Sequence, residues 1–186
     1  FGQILKRMTI IAKKKKGFDL TNDKRDIQVL LAAHHLSDDT YISRLLYNTL
    51  RVGDTIDQMM VFAIDSANVV SVTCKSSFIE RKDKLIFSDD DIQLNEPFPA
   101  VVRNVTNTGV FFETVNACCG VIRGRQLQDA FYEDPQRLGL LRGQTIFVSA
   151  YDIAPIETDV SKDDDASKKT NSQLKRYAFF THRLAD

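Results

Sequence analysis

The chain has 186 residues, 43% of them hydrophobic, with 25 Lys+Arg balanced by 25 Asp+Glu. That apolar content supports packed cores and argues against wholesale disorder, and no apolar run approaches the roughly 18 residues of a membrane-spanning helix. A formal net charge of zero counts against a strongly cationic nucleic-acid binder, so any such function must rest on local charge. Residues 1–79 lean basic and residues 80–186 lean acidic. The cysteines are Cys74, Cys118 and Cys119; an odd count with no C-x-x-C spacing argues against a disulfide framework or a zinc site. Reduced thiols in an intracellular protein are the expectation. The chain opens at Phe1-Gly2 without an initiator Met, as expected of a segment of a longer protein.

In chain order, Gln3–Ala12 predicts a first strand, Lys13–Lys16 a basic hairpin tip, and Phe18-Asp19-Leu20 a second strand. Ile27–Ala33 predicts a third. Ser37 or Asp38 then suits the N-cap of a helix with Ile42, Leu45 and Leu46 on its apolar side. Thr55–Asp65 and Val69–Lys75 read as two more strands around a turn at Ser66–Asn68. Ser76–Glu96 joins the copies, with residues 80–96 as a charged linker; Phe78, Ile79, Leu85, Ile86 and Phe87 require burial, so it should pack.

The same order then recurs. Three runs rich in β-branched and aromatic residues lie within Pro99–Leu127, broken by Asn107-Thr108-Gly109 and by Asn116-Ala117. A polar stretch leads to Leu141-Arg142-Gly143-Gln144-Thr145-Ile146, which echoes Leu50-Arg51-Val52-Gly53-Asp54-Thr55-Ile56. A long strand to Asp152 and a last strand from Arg176 complete the copy. Residues 157–172, with the run SKDDDASKK, predict a disordered acidic insertion between them. The fold class expected is all-β: two tandem five-stranded barrels of OB type with short helical connections, spanning 1–79 and 97–186.

The phrases Asn107-Thr108-Gly109-Val110-Phe111-Phe112 and Gly120-Val121-Ile122-Arg123-Gly124-Arg125-Gln126-Leu127 resemble the two halves of the S-one motif, the RNA-binding OB-fold repeat. The Gly143-Gln144 phrase, the strand ending in Asp152 and the basic residue opening the last strand fall where that resemblance requires. Lys75-Ser76-Ser77-Phe78-Ile79 and His35-Leu36-Ser37-Asp38 are similar to phrases of the repeats in the ribosomal RNA-processing protein five family. The resemblance implies non-catalytic binding of single-stranded or structured pre-rRNA, contacts with other ribosome-assembly factors, and a nuclear, nucleolar location. It implies no cofactor, metal or membrane.

Carried over, the family's RNA platform falls at Thr108, Phe111, Arg123, Asp152 and Arg176, with Arg125 beside it. Thr108 lacks the ring that the family has there, and Arg123 stands for a His; Arg stacks on bases and binds phosphate. Strand alternation puts Phe111 outward and Phe112 inward. In the first copy the motif's His position falls at Ala32, and Phe18 is the one candidate ring. Lys13, Lys14, Lys15 and Lys16 are its nucleic-acid feature, with Lys24 and Arg25 near them, although such runs are more often solvated tips. His34-His35 lacks a Cys or further His at ligand spacing and reads as a strand end.

Two other readings stand beside RNA binding. The copies could serve mainly as a protein-interaction spacer, in keeping with zero net charge and Thr108. They could also hold substrate for a ribonuclease encoded elsewhere in the parent chain. No nucleophile–base pair or phosphate-cradling Gly-rich loop stands in these residues, so catalysis is not expected here.

Overall fold

The computed structural model describes residues 1–123, 139–155 and 176–182, with 151–155 and 176–182 described as backbone. The architecture is mostly β. In the first half, β1 (Ile4–Lys14), β2 (Gly17–Thr21), β3 (Gln28–Ala32), β4 (Thr55–Ile64) and β5 (Val70–Thr73) close a barrel in the order β1-β2-β3-β5-β4. Helix α1 (Thr40–Thr49) links β3 to β4. Only the β3–β5 pair is parallel in this barrel. Period-2 alternation sends Met8, Ile10, Phe18, Leu20, Val29 and Leu31 inward as one core.

In the second half, β6 (Phe98–Val105), β7 (Gly109–Glu113), β8 (Cys119–Arg123), β9 (Thr145–Pro155) and β10 (Arg176–His182) form a sheet in the order β10-β9-β6-β7-β8. It curls so that its edge strands β8 and β10 approach each other. Phe98, Ala100, Val102, Val110, Phe112 and Ile122 fill its core.

The two halves repeat local devices, not only strand order. Gly17 opens β2 opposite Ala32, and Gly109 opens β7 opposite Arg123. A Cβ on Gly17 would lie 2.2 Å from the Leu31 carbonyl oxygen, and one on Gly109 would lie 2.4 Å from that of Ile122. Each glycine therefore lets two backbones touch where no side chain fits. Each half also bulges its first strand, between Ile10 and Ala12 or between Val102 and Asn104.

The turn before the fourth strand is bonded to that bulge in the same way in both halves. Gly53, at φ 97°, donates to Ile10, and Gly143, at φ 88°, donates to Val102. Ile10 and Val102 donate in return to the carbonyls of Asp54 and Gln144. The Asp54 carboxylate accepts from the Arg51 N–H, and the Gln144 amide oxygen accepts from that of Leu141. This sets the equivalence Gly53 with Gly143, and so Val52 with Arg142. The sequence phrase had matched Arg51 to Arg142, one residue out of step, because the second copy has one residue fewer between its arginine and glycine.

Helix α1 departs from expectation. Its N-cap is Asp39, whose carboxylate accepts from the Tyr41 and Ile42 N–H groups. Ile42 and Leu45 are exposed; the face turned to the barrel carries buried Ser43 with Leu46 and Tyr47. Ser43 takes that side because its hydroxyl both accepts from the Ser37 N–H and donates to the Ser37 carbonyl. Tyr47 takes it because its ring packs on Phe18.

The connector packs as the sequence requires. Helix α2 (Ser76–Ile79) buries Phe78 completely. Phe78 and Leu85 join Met60 and Phe62 of the first half and Val101 and Val115 of the second in a third core between the halves. Ile86 enters the second core, and Arg81 lies over the Phe147 ring at 4.5 Å. The expected insertion at 157–172 lies outside the described residues.

Candidate nucleic-acid interface

The outward face of β6, β7 and β8 is set by register. Phe111 pairs with Val121 on one side and with Asn104 on the other, and Arg123 pairs with Gly109. All four of Phe111, Asn104, Gly109 and Arg123 thus lie on one side of the sheet, while Val110, Phe112 and Ile122 line the core. Phe111 is 41% exposed and Phe112 is 2% exposed, the assignment that alternation gave.

The bulge after Val102 puts two consecutive residues, Arg103 and Asn104, on the solvent side, which an unbroken strand would not do. Arg142 reaches the same space from the turn before β9. Together with Phe111, Phe112, Cys119 and Gly120 these residues line an open groove of about 440 Å³.

Arg103 is held across the strands: its Nε lies 3.3 Å from the Glu113 carboxylate and its Nη1 lies 3.2 Å from Cys119 Sγ. Burial pushes the Glu113 carboxyl up, and Arg103 and Arg142 pull it part of the way back. Arg103, Asn104, Glu113 and Arg142 were not singled out from the sequence. A bulge has no sequence signature of its own here, and Arg142 was read only as part of a repeated phrase.

Thr108 is exposed in the β6–β7 turn, where its N–H and hydroxyl engage the Thr106 hydroxyl. Asp152 lies on β9, two strands from β7 in the sheet order, and its backbone pairs with Phe179; Arg176 opens β10, which the curl of the sheet brings toward β8, and its backbone pairs with Pro155. Arg125 lies outside the described residues.

In the first half, Phe18 is fully buried and so offers no platform for a base. Lys13 is not a free cation: its Nζ donates to the Tyr47 and Leu50 carbonyls, caps the C-terminal end of α1, and lies over the Tyr47 ring. Lys14 pairs with Asp19 at 2.7 Å, leaving Lys15 and Lys16 as the tip. Lys24 and Arg25 sit at the opposite end of β2 from that tip, so the two basic groups do not converge.

The groove is joined to the first half through a polar junction. Lys75 is fully buried, and its Nζ donates to the Ser37 carbonyl at 2.6 Å and the Gly143 carbonyl at 2.8 Å. Burial lowers its pKa to about 8, with Asp38 and Asp39 opposing. Burial pushes the Asp38 carboxyl up, but hydrogen bonds from Thr145, Ser77 and Ser76, with Lys75 nearby, outweigh it and hold the group below its usual range. The Thr145 hydroxyl donates to Asp38 at 2.6 Å.

His34 abuts Gly143, where an added Cβ would lie 2.6 Å from the His34 Cβ. Burial, then Lys75 and Arg142, lower the His34 pKa to about 4. His35 is buried, its Nδ1 has no hydrogen-bond partner among the described residues, and its Nε2 lies 4.0 Å from Glu113. His34, His35 and Glu113 could offer three ligand atoms within 4.8 Å of one another. Lys75, Arg142 and Arg103 act on the same small space, and their positive charge opposes a dication. The cluster is better described as the seam that fixes the Arg142 turn.

No protein-family model and no curated protein matches the chain. Among solved structures, the chain is similar to a multidomain protein with nucleic acid binding domains from Streptococcus pneumoniae, at 14% identity and a TM-score of 0.29. The match covers 80% of this chain and 46% of the other, so the chain spans less than half that protein's length. A likeness of this extent carries no functional argument.

Proposed function

We propose that this chain is a non-catalytic RNA-binding module built of two tandem OB-type domains, and that its second half holds single-stranded RNA on the β6–β7–β8 face. The observation that carries the reading is the groove itself, with exposed Phe111 beside Arg103, Asn104 and Arg142. OB barrels bind oligonucleotides on the face of their second and third strands, which here are β7 and β8. An exposed ring gives a base a stacking surface, and nearby guanidinium groups neutralise phosphates. The phrase resemblance supports a finer reading: a module of a nucleolar factor for pre-rRNA processing and small-subunit assembly.

A second reading concerns the first half alone. Tyr41, Ile42 and Leu45 are 71%, 50% and 62% exposed on the outer side of α1. That apolar stripe favours a protein neighbour there, so one half would bind RNA and the other an assembly factor.

The test is fluorescence anisotropy with a labelled single-stranded RNA across a salt series. Phe111→Ala should weaken binding by about 1–3 kcal/mol with the salt slope unchanged. Arg142→Ala should weaken it while flattening the slope by about one. Unchanged affinity in both variants would refute the site.

A further inference from the structure

Asn104 is the groove's neutral polar side chain, and its hydrogen-bonding chemistry points to a base edge and not to a phosphate. It stands directly across the strand pair from Phe111, so the two side chains are nearest neighbours on the outer face. It is exposed, and among the described residues its amide has no hydrogen-bond partner. Its neighbour Arg103 is already engaged by Glu113 and Cys119. The bulge that brings both residues to the groove therefore delivers one tethered cation and one uncommitted amide.

An amide presents a donor and an acceptor side by side. Adenine offers the matching pair on two edges: its N6 amino group donates, and either N1 or N7 accepts. Cytosine offers such a pair at N4 and N3, and uracil at N3–H with O2 or O4, so adenine's advantage over them comes from its additional N6/N7 edge and its larger stacking face. Adenine also covers more of an aromatic ring than a pyrimidine does when stacked.

Resting on the RNA-binding reading above, we propose that Asn104 is a base-reading residue, and that the groove prefers adenine over pyrimidines by stacking the base on Phe111 while the Asn104 amide pairs with its edge. Backbone recognition is then left to Arg142 and Arg123, which gives the face a division of labour between specificity and affinity.

The experiment is equilibrium binding of the full chain to labelled oligo(A), oligo(U) and oligo(C) of about 12 nucleotides, a length within the site size of one such barrel. Wild type should bind oligo(A) about tenfold more tightly than either pyrimidine oligomer, since one good bidentate pair discriminates by about fivefold or more. Asn104→Ala should lose about fivefold on oligo(A), lose less on the pyrimidine oligomers, and leave the salt slope unchanged. Asn104→Gln, which keeps the amide, should recover part of that preference.

Equal affinity of wild type for all three oligomers would overturn the proposal while leaving RNA binding intact. So would an Asn104→Ala loss shared equally by all three, which would make the residue a backbone contact. Absence of binding to any oligomer would instead bring down the RNA-binding reading itself, and this inference with it.

Discussion

The two halves use one backbone plan and present two different surfaces. Each has the touching glycine, the bulge in its first strand and the glycine turn bonded back to that bulge. On the outer face the correspondence ends. Phe111 is answered by Asp19, Arg123 by Ala32, Arg103 by Ile11, Asn104 by Ala12 and Arg142 by Val52. Asp19 is tied to Lys14, while Ile11 and Val52 are exposed. The ring, the cations and the amide are all absent from the first face. What closes the chain on itself and what it offers to a ligand are thus separable: the first rests on backbone hydrogen bonds and inward side chains, and the second on outward side chains that the backbone tolerates freely.

The most severe way to probe this parallel is at the touching glycines. Gly17→Ala and Gly109→Ala should each destabilise the protein by about 3 kcal/mol, because the new Cβ meets a backbone oxygen that cannot move without parting two strands. Chemical denaturation of the two variants would check it, and a harmless substitution at one site alone would break the equivalence. The turn glycines should separate the halves. Gly53 has open space around it, so Gly53→Ala should cost only the left-handed backbone strain, about 1 kcal/mol. Gly143→Ala adds a clash with His34 and should cost about 2–3 kcal/mol, with a matching loss of RNA affinity as the Arg142 turn shifts.

A smaller effect concerns pH. The His34 pKa is about 4 in the fold against 6.5 for the free side chain. As pH falls, the unfolded chain takes up this proton first. The stability that neutral His34 allows is whole above pH 6.5 and is lost between pH 6.5 and 4. The loss should amount to about 2 kcal/mol, given the group's partial exposure. His34→Asn should make that part of the stability profile shallower, the remaining slope coming from His35, whose burial also holds its pKa well below 6.5; an unaltered profile would show that the seam does not exclude the charged ring.

Much of the architecture could be read from residue order. Strand alternation located the ten strands to within a few residues, breaks at Asn, Ser and Gly located the turns, and alternation along the strand set Phe111 and Phe112 on opposite faces. The helix was misread because its docking face is polar at Ser43, and a hydroxyl satisfied by Ser37 carries no hydrophobic signal. Lys13 was misread because a lysine run looks alike whether its ammonium groups meet phosphates or a helix end. Half of the candidate groove escaped notice because Arg103 and Asn104 share it only through a bulge, and Arg142 only through a turn held by Lys75.

Ile86 lies in the connector yet belongs to the second core, and Phe78 and Leu85 belong to the core that both halves share. A gene fragment starting at β6 would therefore encode a curled sheet with its stopper missing and an oily flank laid bare. The piece expected to stand by itself is thus the couple of halves with the connector that staples them, and not the second half alone.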